Sequence, residues 1–304
     1  MSIQELASVD AECEKAECDR VKLIITPKDK DLGGFSVRRV LPAVQQRMIG
    51  PWLFFDHMGP AKFKAGEGIN VRPHPHINLA TVTYLFEGEI LHRDSLGSLQ
   101  PIRPGDVNLM VAGSGIVHSE REREEVNAVD HSLHGLQLWL ALPEKDQETP
   151  PEFIHYPDAE IPYADVDGIV VKIIMGHAYG RKSPVKLFAD TLYIEAALSV
   201  GQRLRLPNAE QRALYVADGQ VIIDGTVIEK YQMAVLGGHE HIEVTTNSVA
   251  RIALIGGEEM SPRFMYWNFA STSKERIEQA KRDWRERRFD KVPGDEDEFI
   301  PLPD

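Results

Sequence analysis

The sequence predicts an all-β protein: two tandem modules of short strands, followed by one helix and an extended tail. Three observations predict it. From Val21 onward, short apolar runs alternate with proline and glycine at intervals of roughly ten residues, as in a sandwich or barrel. That pattern stops at a polar, proline-rich stretch, residues 143–153, and then resumes. Helical periodicity is confined to residues 272–289.

Residues 1–20 carry acid at Glu5, Asp10, Glu12, Glu14, Glu17 and Asp19, and read as a solvated segment or frayed helix. Residues 21–145 form the first module, with runs such as VKLIIT, GPWLFFD, LATVTYLFEG, DVNLMVAG and GLQLWLALP. Residues 146–304 hold the second, with GIVVKIIMG, DTLYIEAALS, ALYVADGQVIIDGTVI and VARIALIGG. Sliding one module over the other by 131 residues lays TYLFEGEI (83–90) on LYVADGQV (214–221), so that Tyr84 meets Tyr215, Glu87 meets Asp218 and Gly88 meets Gly219. A shared hairpin with acid and glycine at its turn suggests two copies of one module. In the helix, Thr272 and Glu275 make a capping box, and Ile277, Ala280 and Trp284 share one face. Arg285, Arg287 and Arg288 crowd its last turn, where the helix dipole favours cations. The tail beyond is too rich in proline for helix; Phe299, Ile300 and Leu302 suggest a strap docked on the surface.

Composition narrows the function classes. The chain has 304 residues, 42% of them apolar and 27% charged, enough to bury a large core without staples. Two cysteines, Cys13 and Cys18, sit close together and close no large loop, so they read as free thiols. Lysine and arginine number 34 against 47 acids, a net charge of −13 that disfavours nucleic acid and anionic lipid. An acidic start without an apolar core, and no run of about 18 apolar residues, argue against a signal peptide or a membrane span and for the cytoplasm, or a nucleus in a eukaryotic host.

Six of the eleven histidines fall between 74 and 134. Two short motifs stand out among them: His74-Pro75-His76 and His118-Ser119-Glu120. On a strand, residues i and i+2 point to one face. Pro73 and Pro75 favour extended geometry for the residues before them. Two such strands place three imidazoles and one carboxylate on a common side. That set, without thiolate, suits iron(II), manganese, nickel or copper, and zinc less typically, with coordination positions left open. Either motif alone is more often a surface or core pair; the two together, with glycines at 105, 113 and 115 to aim the strands, favour a metal site.

At this point a resemblance is visible. RRVLP (38–42), GPWLFFDHMGP (50–60), RPHPHINLATVTYLFEGEILHRDSLG (72–97), IRPGDVNLMVAGSGIVHSE (102–120) and LHGLQLWLALP (133–143) resemble the pirin family of the cupin superfamily, as do YWNFASTSKERIEQAKRDW and GDEDEFIPLP near the C-terminus. The resemblance runs from about Val21 over nearly the whole chain. It implies two cupin barrels, jelly-roll-like and packed face to face, with one metal, most often iron, in the N-terminal one. The matching ligand positions are His74, His76, His118 and Glu120, and the C-terminal barrel is implied to be degenerate. There the 131-residue shift sets Arg205 opposite His74 and Pro207 opposite His76, while His239 and His241 read as a surface pair. Ala80 stands where many relatives carry a further glutamate, which suggests a site with one acid fewer.

The resemblance further implies quercetin 2,3-dioxygenase-like chemistry, with a small aromatic substrate and O2 as partners and Glu120 as the residue that takes the hydroxyl proton. The alternative it carries is a regulatory protein whose iron shapes a surface for protein partners; under either reading the resemblance implies a monomer. A cavity beside the metal would favour the enzyme. Asp56 and His57 read as metal support or a structural turn; His92, His131 and His134 read as structural.

Overall fold

The apolar runs become strands because alternating side chains give each run two faces to bury. The computed structural model describes residues 11–15, 18–31, 35–239 and 241–303. In the first half lie β1 (Glu12–Glu14), β2 (Val21–Thr26), β3 (Lys28–Asp31), β4 (Ser36–Leu41), β5 (Trp52–Phe63), β6 (Val71–His76), β7 (Leu79–Glu87), β8 (Ile90–Asp94), β9 (Leu99–Ile102), β10 (Val107–Val111), β11 (Ile116–Arg121), the short helix α1 (Glu124–Asn127), β12 (His131–Ala141) and β13 (Glu152–Tyr156). The second half adds β14 (Tyr163–Val166), β15 (Ile169–Met175), β16 (His177–Ala178), β17 (Arg181–Lys182), β18 (Thr191–Leu198), β19 (Arg203–Arg205), β20 (Gln211–Asp218), β21 (Val221–Ile223), β22 (Thr226–Ile228), β23 (Met233–Leu236), β24 (Glu243–Thr245), β25 (Ala250–Gly257), β26 (Phe264–Tyr266), β27 (Phe269–Ser271) and α2 (Lys274–Arg285).

One large sheet runs β13-β10-β7-β12-β5-β4-β3, and a smaller one, β6-β11-β8-β9, packs on it. The second module repeats the plan: β1-β2-β23-β20-β25-β18-β15-β14, with β19-β24-β21-β22 against it. Apart from β1, which has no counterpart, the two orders correspond strand for strand, with β7 matching β20, so the internal repeat extends far beyond one hairpin. Gly88 and Gly219 occupy equivalent turns at φ +88° and +72°. A Cβ there would meet a backbone carbonyl, Ser132 O at 2.2 Å or Val249 O at 2.1 Å. The large sheets pack against each other through Val82, Leu138 and Phe55 from one side and Tyr193, Tyr215 and Ile255 from the other.

Sheet membership crosses the sequence division at 145/146. Strand β2 lies beside β23 in the second module's sheet, while β13, beyond the proline-rich stretch, lies beside β10 in the first module's. Each strand covers an edge that would otherwise be open. Of the N-terminal segment read as a frayed helix, residues 1–10, 16 and 17 lie outside the described residues; Glu12–Glu14 is a strand paired with β2.

The C-terminal helix is shorter than residues 272–289. Its cap is Ser273, whose Oγ accepts the Arg276 N–H at 3.2 Å, whereas Thr272 turns to Gln147. Arg285 lies in its last turn, but Arg287, at φ +56°, takes the chain out of helix, so Arg287 and Arg288 lie beyond it. Ile277, Ala280 and Trp284 are buried, as their spacing requires. The tail lies extended across the first module. The Ile300 N–H donates to Pro73 O at 2.8 Å, Trp284 Nε1–H to Ile300 O at 3.0 Å, and Tyr266 O–H to Pro303 O at 2.7 Å.

Candidate metal centre

Strands β6 and β11 run antiparallel on the smaller sheet of the first module, and His74 stands directly opposite His118. His76 shares the face of His74, as alternation requires. All three rings are buried, with centroids 4.4 to 5.1 Å apart. Their donor nitrogens lie within 4.8 Å of one another, and His76 Nε2 is 3.1 Å from His118 Nε2. His74 Nδ1–H donates to Arg72 O at 2.9 Å, which frees its Nε2 lone pair.

Burial holds the His74 imidazole down to about 4, against the pull of the Arg72 carbonyl. Burial, then the neighbouring histidines, holds His76 and His118 well below the usual range. Neutral imidazoles with converging lone pairs fit a divalent transition metal. Buried rings gathered this closely have little to gain from one another alone, and His118 Nδ1 has no hydrogen-bond partner among the described residues.

Glu120 lines the same cavity, but its carboxylate is not one of the mutually close donors. Strand β11 is regular against β8, with His118 opposite Asp94 and Glu120 opposite His92, so alternation keeps Glu120 on the face of His118. The register shift lies in β6, which has one extra residue between His74 and Val71, the residue opposite Glu120. Burial pushes its carboxyl up to about 7.

The cavity encloses about 440 Å³. Phe54, Met58, Trp139 and Trp267 wall it, with Ile300 and Pro303 of the tail on one side. Phe54 and Trp139 stack at 3.9 Å, and the Trp139 ring meets His76 edge-on at 5.0 Å. Asp56 lines it too, bound by the Arg39 guanidinium through two bonds of 2.9 and 2.8 Å.

The next residue, His57, faces the other way, into the contact between modules. Its Nδ1 is 2.6 Å from Tyr215 Oη and its Nε2 is 2.8 Å from His134 Nε2. His131 bonds Glu122 at 2.9 Å on the rim of its sheet. His92, read from sequence as structural, is buried beside the cluster, its ring 5.3 Å from that of His118, stacked on Phe153 and bonded to Asp94 at 2.9 Å. His92-x-Asp94 carries the same i, i+2 spacing as the ligand motifs, a signal that was there to read.

Two expectations change. Ala80 packs in the core between the large sheets, so a glutamate there would not enter the cavity, and no acid is lost from it. In the second module the inward positions are Leu204 and Leu206, not Arg205 and Pro207; a slip of one residue exchanges the faces of a strand. Those leucines, with Ile242 and Val244, fill the space that the histidines occupy in the first module. His239 and His241 are exposed, and His241 bonds Arg205.

Two repeated double-sheet modules, one filled with aliphatic side chains and one holding a histidine cluster in a cavity, define a bicupin with, among the described residues, a single candidate metal centre. The chain belongs to the pirin family: the pirin model matches residues 34–140, and that of the pirin C-terminal cupin domain matches residues 193–290. It is 46% identical to a pirin-like protein of Caulobacter vibrioides over 93% of this chain and 100% of that one. It is 32% identical to the pirin of Homo sapiens over 88% of this chain and 92% of that one. A crystal structure of quercetin 2,3-dioxygenase from Acinetobacter baumannii superposes with a TM-score of 0.86 at 33% identity, covering 98% of this chain and 97% of that chain. Among the described residues, no helix is long and apolar enough to cross a membrane.

Proposed function

We propose that the protein is a metal-dependent dioxygenase that opens the central ring of quercetin or a related planar phenol with O2 and releases carbon monoxide. The observation that carries this reading is a histidine cluster set in an aromatic-walled cavity. Similarity to a quercetin 2,3-dioxygenase supports it. A metal that only shaped a surface would have no use for a space of about 440 Å³ beside it.

His74, His76 and His118 would hold the ion, iron(II) first, with Glu120 as fourth donor when its side chain turns toward them. Once bound, the ion supplies Lewis acidity that lowers the pKa of a hydroxyl placed against it. The protein's own groups do the rest. Phe54 and Trp139 receive a flat ring system and exclude water. The Glu120 carboxylate takes the proton of the flavonol 3-hydroxyl. Arg72 O fixes the His74 ring so that Nε2 stays aimed inward.

The test is elemental analysis of purified protein together with O2-dependent loss of quercetin, on wild type and His118→Ala. Metal near one per chain and decay abolished in the variant is the expected result. Verified metal with no decay removes quercetin from the reading; absence of metal after careful loading removes the site.

A further inference from the structure

A row of polar side chains crosses the cavity wall. Arg39, Asp56, Gln137 and Thr83 stand directly opposite one another on β4, β5, β12 and β7. Residues paired in this way share a face of the sheet, and Arg39, Asp56 and Gln137 line the cavity. Neighbours in the row fix one another. The Arg39 guanidinium grips Asp56 and lies 4.4 Å over the Phe54 ring. The Thr83 hydroxyl donates to Gln137 Oε1 at 2.7 Å, which engages the oxygen end of the amide. The other end, Nε2 with two N–H donors, has no hydrogen-bond partner among the described residues. Gln137 and Trp139 share a face of β12, about 7 Å apart along the strand, and Trp139 is the residue that touches His76.

We infer that Gln137 Nε2 is the distal anchor of this cavity: it donates to an oxygen at the end of the ligand remote from the histidines, and so selects planar phenols bearing such an oxygen over those without it. The inference rests on reading the cavity as a site for planar phenols. A half-buried donor without a partner is costly, and a ligand oxygen recovers that cost. A preset donor discriminates between ligands in a way that an apolar wall does not. Because Thr83 holds the amide in place, little ordering remains to be done on binding.

Calorimetric binding to nickel-loaded protein tests this, since nickel(II) suits imidazole donors. Two ligand pairs differ only in a distal oxygen: 3-hydroxyflavone with 3,7-dihydroxyflavone, and 2,3-dihydroxynaphthalene with 2,3,6-trihydroxynaphthalene. In wild type the distal oxygens tighten binding roughly tenfold. In Gln137→Leu that gain falls below about twofold while the Kd of the plain ligand is unchanged, which also shows that the fold is intact; Thr83→Val, which loosens the amide, gives an intermediate loss. Equal weakening of both members of a pair overturns the inference. So does a distal gain that survives Gln137→Leu, and so does a failure of both pairs to bind. Should the flavonol pair alone fail while the naphthalene pair behaves as expected, the flavonol reading falls and the role of Gln137 stands.

Discussion

Individual residues show where local chemistry governs. The histidine cluster follows from alternation on two paired strands, and alternation is written in the spacing of His74, His76 and His118. Glu120 follows alternation too, since β11 is regular against β8. The extra residue in β6 that sets it opposite Val71 is what no spacing records. Gln137 and Trp139 were equally hidden. Strand β12 is buried along much of both faces, so its pattern does not say which face meets a cavity and which meets the second module. Glycine gives a sharper expectation. Gly88 and Gly97 have nearly the same φ, +88° and +87°, but only Gly88 has a carbonyl in the path of a Cβ. Gly97→Ala should cost about 1–2 kcal/mol, the price of a left-handed conformation. Gly88→Ala should cost well above that, because Ser132 O must also move. Urea midpoints of the two variants measure the difference.

At the scale of elements, the tail carries the clearest expectation. Arg121 at the end of β11 binds Asp295 through two bonds of 2.6 Å, with both side chains largely buried. Bidentate pairs of this kind hold a segment in one geometry. Asp295→Ala is expected to release the strap and leave a buried guanidinium without its main partner, at a cost of about 2 kcal/mol or more. Limited proteolysis should then cut after residue 290 at protease levels that spare the wild type; identical digestion of the two proteins would show that the pair does not hold the tail. The helix was legible in its apolar face but not in its ends. Thr272 and Ser273 are both competent caps, and the choice fell to Ser273 because Gln147, from the connection after β12, engages Thr272.

The whole molecule adds a dependence on pH. His57 is fully buried between the modules, and burial, then His134, Arg38 and Lys230, keeps its imidazole well below the usual range. The folded protein therefore holds it neutral, while the unfolded chain takes up a proton below about pH 6.5. Stability is present above that pH and falls as the pH drops, by up to about 1.4 kcal/mol per pH unit for this one group. His57→Gln should flatten the fall of the urea midpoint between about pH 6.5 and 5; an unchanged slope would mean that His57 does not bear this load. The repeat itself was legible in one hairpin, but the exchange of β2 and β13 was not, because each is a plain apolar run that fits an edge of either module.

That exchange also bears on how the chain is made. Val21 at the start of β2 pairs with Leu236, so β2 leaves the ribosome long before the strand it pairs with. The first module can close early, since β13 follows directly on its other strands. The second cannot complete its sheet until most of the polypeptide has emerged. During synthesis β2 has only the short β1 beside it; its other edge is open to wrong neighbours while it hangs from a finished module. Slow closure over this long loop is the kinetic debt left when two copies of one module traded edges.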